Sequence, residues 1–392
     1  MPVRRPWATA GGSPGPVHAA LAVGVAGVVL AGCGLLGGAS SSAQPAGLGP
    51  AEPAAAATIA GGQGTSTTVP PGGARRAPTG APVTLEFAGD VHFAGSAATA
   101  LNGFGPITNE LSAADLTMVN LETAVTTGGT PADKEFTFRT GPQAFTALHA
   151  AGVDVVTMAN NHAMDYGTTG LQDTLRYAKA ANFPVLGIGE NDTDAFTPYR
   201  TVIRGQRISI IAATRVLDDQ LADSWTAGPN KPGLASAKDL TELLAAVRAA
   251  RADSDTVVVD LHWGVETHSC PGTDQTGIVP ALVNAGADII VGSHAHVLEG
   301  GGWHSSGAYV DYGLGNFVFY ASGTGVSTQS GILRLTVRGR AVTQAAWLPA
   351  RISGGLPRPA TGADDAAILA AMGPLQQCAG LRSNPPTWGH IS

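Results

Sequence analysis

Basic residues are scarce in this chain. Lysine and arginine number 22 in 392 residues against 29 aspartates and glutamates, and no basic run exceeds two residues. That dispersion and a formal charge of -7 exclude the basic face on which nucleic-acid binding rests. Cysteine is scarcer still: Cys33, Cys270 and Cys378 are the only three, and none has the neighbours of a thiolate metal site or a catalytic nucleophile. The longest uncharged apolar stretch near the start, His18 to Gly32, falls short of the roughly 20 residues that a spanning helix needs. What the chain does have is apolar material, 44% of its residues against 13% charged, enough for a substantial core. Its 53 glycines and 26 prolines are concentrated towards the N-terminus.

Arg4 and Arg5 precede the His18 to Gly32 run, which ends in Leu30-Ala31-Gly32-Cys33. A charged start, an apolar middle and small residues at its end have the layout of a secretory signal. The ending resembles the lipobox of bacterial lipoproteins, which implies cleavage before Cys33 and a lipid on its thiol. Residues 1–32 are therefore read as a lipoprotein signal peptide. Residues 33–82 are read as a lipidated cysteine and an Ala/Gly/Ser/Pro tether, too poor in large apolar side chains to offset its own ordering entropy. The expected location is extracytoplasmic, on the outer face of the cell membrane. In such an oxidising compartment the remaining pair, Cys270 and Cys378, is expected to form a disulfide that closes a C-terminal tail (351–392) onto the body (83–350).

Five apolar runs in the body share a chemical ending. Val83 to Ala88 leads into Gly89-Asp90-Val91-His92, Thr117 to Val119 into Asn120-Leu121-Glu122, and Val153 to Met158 into Ala159-Asn160-Asn161-His162. Thr256 to Leu261 leads into His262-Trp263-Gly264, and Asp288 to Val291 into Gly292-Ser293-His294-Ala295-His296. Near-continuous apolar runs of this length are strands buried on both faces. Helical patterns over Gln143 to Ala151, Thr169 to Ala181, Lys238 to Ala252 and Ile278 to Ala285 complete an α/β alternation, in which ligands gather at the carboxyl ends of strands. Later segments (Arg207 to Ala212, Tyr309 to Asp311, Asn316 to Tyr320, Gly331 to Val337) alternate more and are expected to form a second, mixed sheet. The reading is of two sheets packed face to face with helices outside.

Each strand-end motif is weak alone, and His294 and His296 at i and i+2 would share one side of an extended segment. Together, Asp90, His92, Glu122, Asn161, His162, His262, His294 and His296 supply carboxylate, imidazole and amide in the proportions of a two-metal hydrolytic centre. In order, Gly-Asp-Val-His, Asn-Leu-Glu, Ala-Asn-Asn-His-Ala-Met-Asp-Tyr-Gly, His-Trp-Gly-Val-Glu, Gly-Ser-His-Ala-His-Val and Tyr-Gly-Leu-Gly-Asn-Phe-Val-Phe resemble the CapA family of capsule (poly-γ-glutamate) synthesis proteins. That family is in turn similar to the calcineurin-like metallophosphoesterases.

The resemblance covers about Leu85 to Phe319 and implies a four-layer αββα sandwich of the metallo-dependent phosphatase type. Carried over, it makes Asp90, His92 and His296 ligands of one metal and Asn161, His262 and His294 ligands of the second. Glu122 would bridge them, where the wider superfamily has Asp. His162 would be the acid/base that protonates the leaving group. Around this set, Asp165 either orients His162 or caps a following helix. Arg139 either clamps an anionic substrate or forms a surface ion pair. Trp263 and Glu266 either wall the pocket or pack, and Asn316 is read as holding backbone near the ligand loops.

Two functions follow from the family. One is a lipid-anchored dinuclear hydrolase or transferase acting on a phosphoester or γ-glutamyl bond, with Mn, Fe or Zn as its two metals. The other is a non-catalytic factor that binds a cell-surface anionic polymer or its precursor for a membrane synthase.

Overall fold

The computed structural model describes residues 78–385. The expected signal segment, Cys33 and the tether up to residue 77 lie outside the described residues. In chain order the strands of the two large sheets are β1 (Val83–Val91), β2 (Leu116–Leu121), β3 (Val155–Thr157), β4 (Val185–Leu186), β5 (Tyr199–Ile203), β6 (Gln206–Thr214), β7 (Thr256–His262), β8 (Ile289–Ser293), β9 (Gly301–Trp303), β10 (Tyr309–Asp311), β11 (Asn316–Val318), β12 (Gln329–Arg338), β13 (Ala341–Ser353) and β14 (Leu356–Pro359). The longer helices are α1 (Gln143–Ala151), α2 (Gly167–Ala181), α3 (Thr241–Asp253), α4 (Val279–Ala285) and α5 (Ala363–Cys378).

The first sheet runs β14-β13-β12-β1-β2-β3-β4, with β11 also pairing to β1; the second runs β9-β10-β8-β7-β6-β5. β1 to β4 are mutually parallel, as are β6, β7, β8 and β10, with antiparallel strands at the margins. The five site-bearing strands are therefore divided, three in the first sheet and two in the second. Of the later segments expected in a separate sheet, Arg207 to Ala212 and Tyr309 to Asp311 join β7 and β8. The segments starting at Asn316 and Gly331 instead both pair with β1 in the first sheet. Alternation marks strands near a sheet edge and does not say which sheet they join.

The layering follows from the side-chain period of two. Along β7, Val257, Val259 and Leu261 pack under Leu243 and Val247 of α3 and Leu282 of α4, whereas Val258 turns inward to a core shared by both sheets. That inner core joins Leu85, Phe87, Met118 and Val155 of the first sheet to Ile208, Ile210, Ile289 and Val291 of the second. On the far side of the first sheet, Phe145 and Leu148 of α1 and Leu171 of α2 cover Val91, Val119 and Val156. Each such side chain, fully buried, contributes about 1.5–3 kcal/mol, and the arrangement is the four-layer αββα sandwich.

The helix ends obey local chemistry: α1 stops at Gly152 and α2 at Asn182, both in the left-handed region where these residue types carry little strain. The body does not end at 350, because β13 runs on to Ser353 and pairs with β14. Cys270 and Cys378 are joined in a disulfide with Cα atoms 5.7 Å apart, tying the loop after β7 to the end of α5.

Candidate metal centre

Asp90 is aimed by an irregularity. The pairing of β1 with β2 slips between Ala88 and Asp90, and a bulge of this kind re-aims the side chains that follow. Glycine is required there: a Cβ on Gly89 would lie 1.8 Å from the Gly315 carbonyl oxygen, where β11 closes against β1 with Asp90 N–H donating to that oxygen at 2.9 Å. The buried Asp90 carboxylate then accepts from Asn120 Nδ2 at 2.8 Å and lies 3.2 Å from His296 Nδ1. One residue beyond β2, Glu122 is fully buried, and neither of its carboxylate oxygens has a hydrogen-bond partner.

The loop after β3 is fastened by two asparagines. Asn160 Nδ2 donates to Asn120 Oδ1 at 3.0 Å and to the Leu121 carbonyl at 2.9 Å, and its Oδ1 accepts from the His162 amide at 3.1 Å. This places Asn161 Oδ1 2.8 Å from His262 Nε2, which is also 3.4 Å from Glu122 Oε1.

His294 and His296 reach the same space by a route other than an extended segment. Both have positive φ, 94° and 57°, a costly conformation for non-glycine residues that clusters at functional sites. Asn316 Oδ1 lies 2.9 Å from His296 Nδ1, and its Nδ2 donates to the His296 carbonyl at 3.1 Å, so Asn316 orients the ring as well as the backbone.

Three overlapping groups result: Glu122 with His262 and His294, Asp90 with Glu122 and His296, and Glu266 with His294 and His296. In each, one ligand atom per residue lies within 4.8 Å of the others. His92 belongs to none of them. Its ring stacks on Phe138 at 4.6 Å and meets Phe319 edge-on at 4.1 Å. Of the residues expected from the motifs, Asp90, Glu122, His262, His294 and His296 fall in these groups, Asn161 lies beside His262, and His92 Nε2 is buried without a hydrogen-bond partner.

The electrostatics suit a cation. Burial, and then the charge of Asp90, push the Glu122 carboxyl up to about 8. Burial would raise Asp90 too, but the hydrogen bond and charge of His296 outweigh it and hold Asp90 below the usual range. Burial drives the His92 and His262 imidazoles down to about 3 and His294 well down, leaving neutral rings of the kind metals bind. His296 is the exception: against the effect of burial, Glu122 and Asp90 push it up to about 10. Two buried carboxylates without an arginine partner, and a His294 Nδ1 that is also unpartnered, fit a divalent ion.

Beside this space His162 Nδ1 contacts Asp165 Oδ2 at 2.7 Å, and Asp165 also accepts from the Phe138 amide at 2.6 Å. Asp165 is no helix cap, since the residue before α2 is Tyr166. Arg139 is exposed, and its guanidinium lies 4.7 Å from the Tyr166 ring centre. Phe138, one residue earlier, packs against His92 and against the His162 ring at 4.3 Å. The cation at the site is Lys134, 3.1 Å from Asp165 Oδ1 and donating to the Asn161 carbonyl at 2.5 Å. Nothing local in the sequence singles it out. Asn120 and Asn160, which sit inside the quoted motifs, were legible there as polar strand-end residues but not as the frame. Trp263 is fully buried, its Nε1 donating to the Tyr312 carbonyl at 2.8 Å, so it packs.

The family model described as bacterial capsule synthesis protein PGA_cap matches residues 84–321. The capsule biosynthesis protein CapA of Bacillus anthracis is 32% identical over 237 residues, 60% of this chain and 56% of that protein. The PGA biosynthesis protein CapA of Bacillus subtilis is 36% identical over 189 residues, 48% of each chain. The chain thus spans about half the length of these relatives. Among solved structures, a phosphatase from Mycoplasma pneumoniae is 17% identical with a TM-score of 0.46, covering 74% of this chain and 98% of that one. A 5'-nucleotidase from Candida albicans is 10% identical with a TM-score of 0.41, covering 78% and 59%. Likenesses at such scores carry no weight for the chemistry.

Proposed function

Starting from a chain that belongs to the bacterial capsule synthesis family PGA_cap, we propose that it serves the synthesis of poly-γ-glutamate or a related cell-surface polymer as a dinuclear-metal hydrolase or transferase. The bond acted on is a phosphoester or a γ-glutamyl linkage. The observation that carries this reading is the convergence of Asp90 and Glu122 from one sheet with His262, His294 and His296 from the other, around carboxylate and imidazole atoms that have no partner.

Glu122, Asn161, His262 and His294 would hold one metal, and Asp90, Glu122 and His296 the other. Bound divalent metal supplies Lewis-acid polarisation of the substrate and activation of water. His162 is placed to give a proton to the leaving group, because Asp165 holds its Nδ1 and leaves Nε2 for the substrate. Lys134 keeps Asp165 paired on its other oxygen, and Phe138 packs the His162 ring in position. Tethering at the membrane through Cys33 belongs to the same proposal and rests on the signal-like start of the chain.

The test is metal analysis of the full chain beside His262→Ala, with hydrolysis of a phosphodiester and a γ-glutamyl anilide followed for the wild type and His162→Ala. Two metals per chain, fewer in His262→Ala, and a rate at least about 100-fold lower in His162→Ala with metal retained are the expected results. A metal-replete chain that binds none fails the proposal and leaves polymer binding for a synthase, the second reading. Partitioning into detergent that survives Cys33→Ser would count against the anchor.

A further inference from the structure

Tyr320 stands beside the centre, and the reading above gives it no role. It follows β11 by two residues, and β11 runs parallel to β1 with Asn316 opposite Asp90. Parallel strands end at the same edge of a sheet, so the chain leaving β11 emerges where the polar residues of β1 do. There Phe319 and Tyr320 part. Phe319 is 6% exposed and packs on His92 and His296, with ring centroids 4.1 and 4.8 Å away. Tyr320 is 40% exposed, although its ring lies 4.7 Å from that of His92, 4.9 Å from Phe319 and 6.0 Å from Phe138. The loop after β1 backs the side chain as well, since a Cβ on Gly95 would lie 3.5 Å from the Tyr320 Cβ. A ring already held by its neighbours loses little freedom when a ligand meets it.

What is not held is the hydroxyl. Among the described residues it has no hydrogen-bond partner. The charges of Glu122, inside the centre, and of Glu266, on its exposed side, both act on it, which puts the phenol between the buried carboxylates and solvent. A phenol, with an ordinary value of 10.0, is a donor at neutral pH. The cations nearby are engaged elsewhere. Lys134 spends its ammonium on Asp165, Asp218 and the Asn161 carbonyl, and the Arg139 guanidinium stacks on Tyr166. Phe138 touches both the His162 ring and the Tyr320 ring, so the acid and the phenol border the same patch.

We infer that Tyr320 contacts the substrate, its hydroxyl donating a hydrogen bond to an oxygen of the phosphoryl or γ-glutamyl carbonyl group under attack. This rests on the dinuclear reading above and adds to it a residue that recognises the reacting group, where His162 serves the leaving group. Negative charge grows on that oxygen during the reaction, and a donor fixed in advance strengthens its bond as the charge grows. Tyr320 therefore acts on kcat more than on KM.

The experiment compares the full chain as wild type and Tyr320→Phe, which keeps the ring and its contacts and removes only the donor. Hydrolysis of a phosphodiester and a γ-glutamyl anilide, bound metal, and calorimetric affinity for inorganic phosphate are measured on each. Near-ultraviolet circular dichroism checks folding, and Tyr320→Leu takes the place of Tyr320→Phe if the latter does not fold. The expected result is unchanged metal content, kcat/KM lower by at least about tenfold with most of the loss in kcat, and phosphate bound at least about threefold more weakly. A smaller fall in kcat/KM overturns the inference. Loss of metal in Tyr320→Phe overturns it too, because the residue then supports the ligands and not the substrate. A wild type that binds no metal fails the dinuclear reading and this inference with it. Where the wild type binds metal but hydrolyses neither probe, the enzymatic reading fails by itself and phosphate decides the contact: wild-type affinity in Tyr320→Phe, or no phosphate binding in either protein, overturns it.

Discussion

The two walls of the centre are built from different chemistry by different local structure. The first sheet supplies oxygen: Asp90 lies at the end of β1, Glu122 and Asn161 follow β2 and β3, and a frame of Asn120 and Asn160 holds them. The second sheet supplies nitrogen: His262 ends β7, and His294 and His296 sit on a turn with two left-handed residues. Neither wall is a binding site by itself. An oxygen wall alone buries two carboxylates without a counter-charge, and an imidazole wall alone is a set of neutral rings. A divalent cation between them would compensate both defects and fasten the inner faces of the sandwich where the strands end.

The strongest way to break the first wall is at its bulge. Gly89→Val drives a side chain into the Gly315 carbonyl, and a loss of more than about 3 kcal/mol in urea unfolding is expected. A loss below 1 kcal/mol would mean that β11 yields without cost and that the bulge is not what aims Asp90.

The second wall has a buried acid behind it. Glu299 follows His296 by three residues, accepts from Gln275 Nε2 at 2.8 Å, and is pushed up to about 8 by burial. Folded protein therefore holds a proton that the unfolded chain, at the ordinary value of 4.5, releases. The stabilisation is complete below about pH 4.5 and is lost as pH rises through about 8. Wild type should lose on the order of 2 kcal/mol more than Glu299→Gln between pH 5 and pH 8. Parallel pH profiles in thermal denaturation would show that the carboxyl is not neutral in the fold.

The smallest effect is expected beside the first wall. Arg139→Ala removes only an exposed stacking contact with Tyr166 and should cost at most about 1 kcal/mol, with metal content unchanged. A substrate-binding defect much larger than that stability change would return Arg139 to the site.

Much of the centre was legible in the sequence because its residues follow strands directly. A strand end fixes where the next one or two side chains emerge, so Asp90, Glu122, Asn161, His262 and His294 converge as their position after apolar runs predicts. The pair Cys270 and Cys378 was legible by elimination among three cysteines. Legibility ended where placement depends on long-range contacts. Lys134 lies in a loop with no pattern, and only the packing of that loop against Asp165 and Asn161 makes it the site's cation. Arg139 and Phe138 are neighbours in a two-residue strand, Arg139–Thr140, and its edge. Which of the two faces the centre is decided by alternation in an element too short to read.

The sequence by itself determined the class of the fold, four of the five longer helices (α1 to α4) and the residue types of the centre, because apolar period and strand-end chemistry are local properties of a chain. Tertiary structure alone decided how the five site strands divide between two sheets and which carboxylates and imidazoles meet without partners. It also decided that Glu266 reaches the histidines. Those outcomes depend on sheet pairing, on a bulge and on two strained backbone positions, each a balance among residues far apart in the chain.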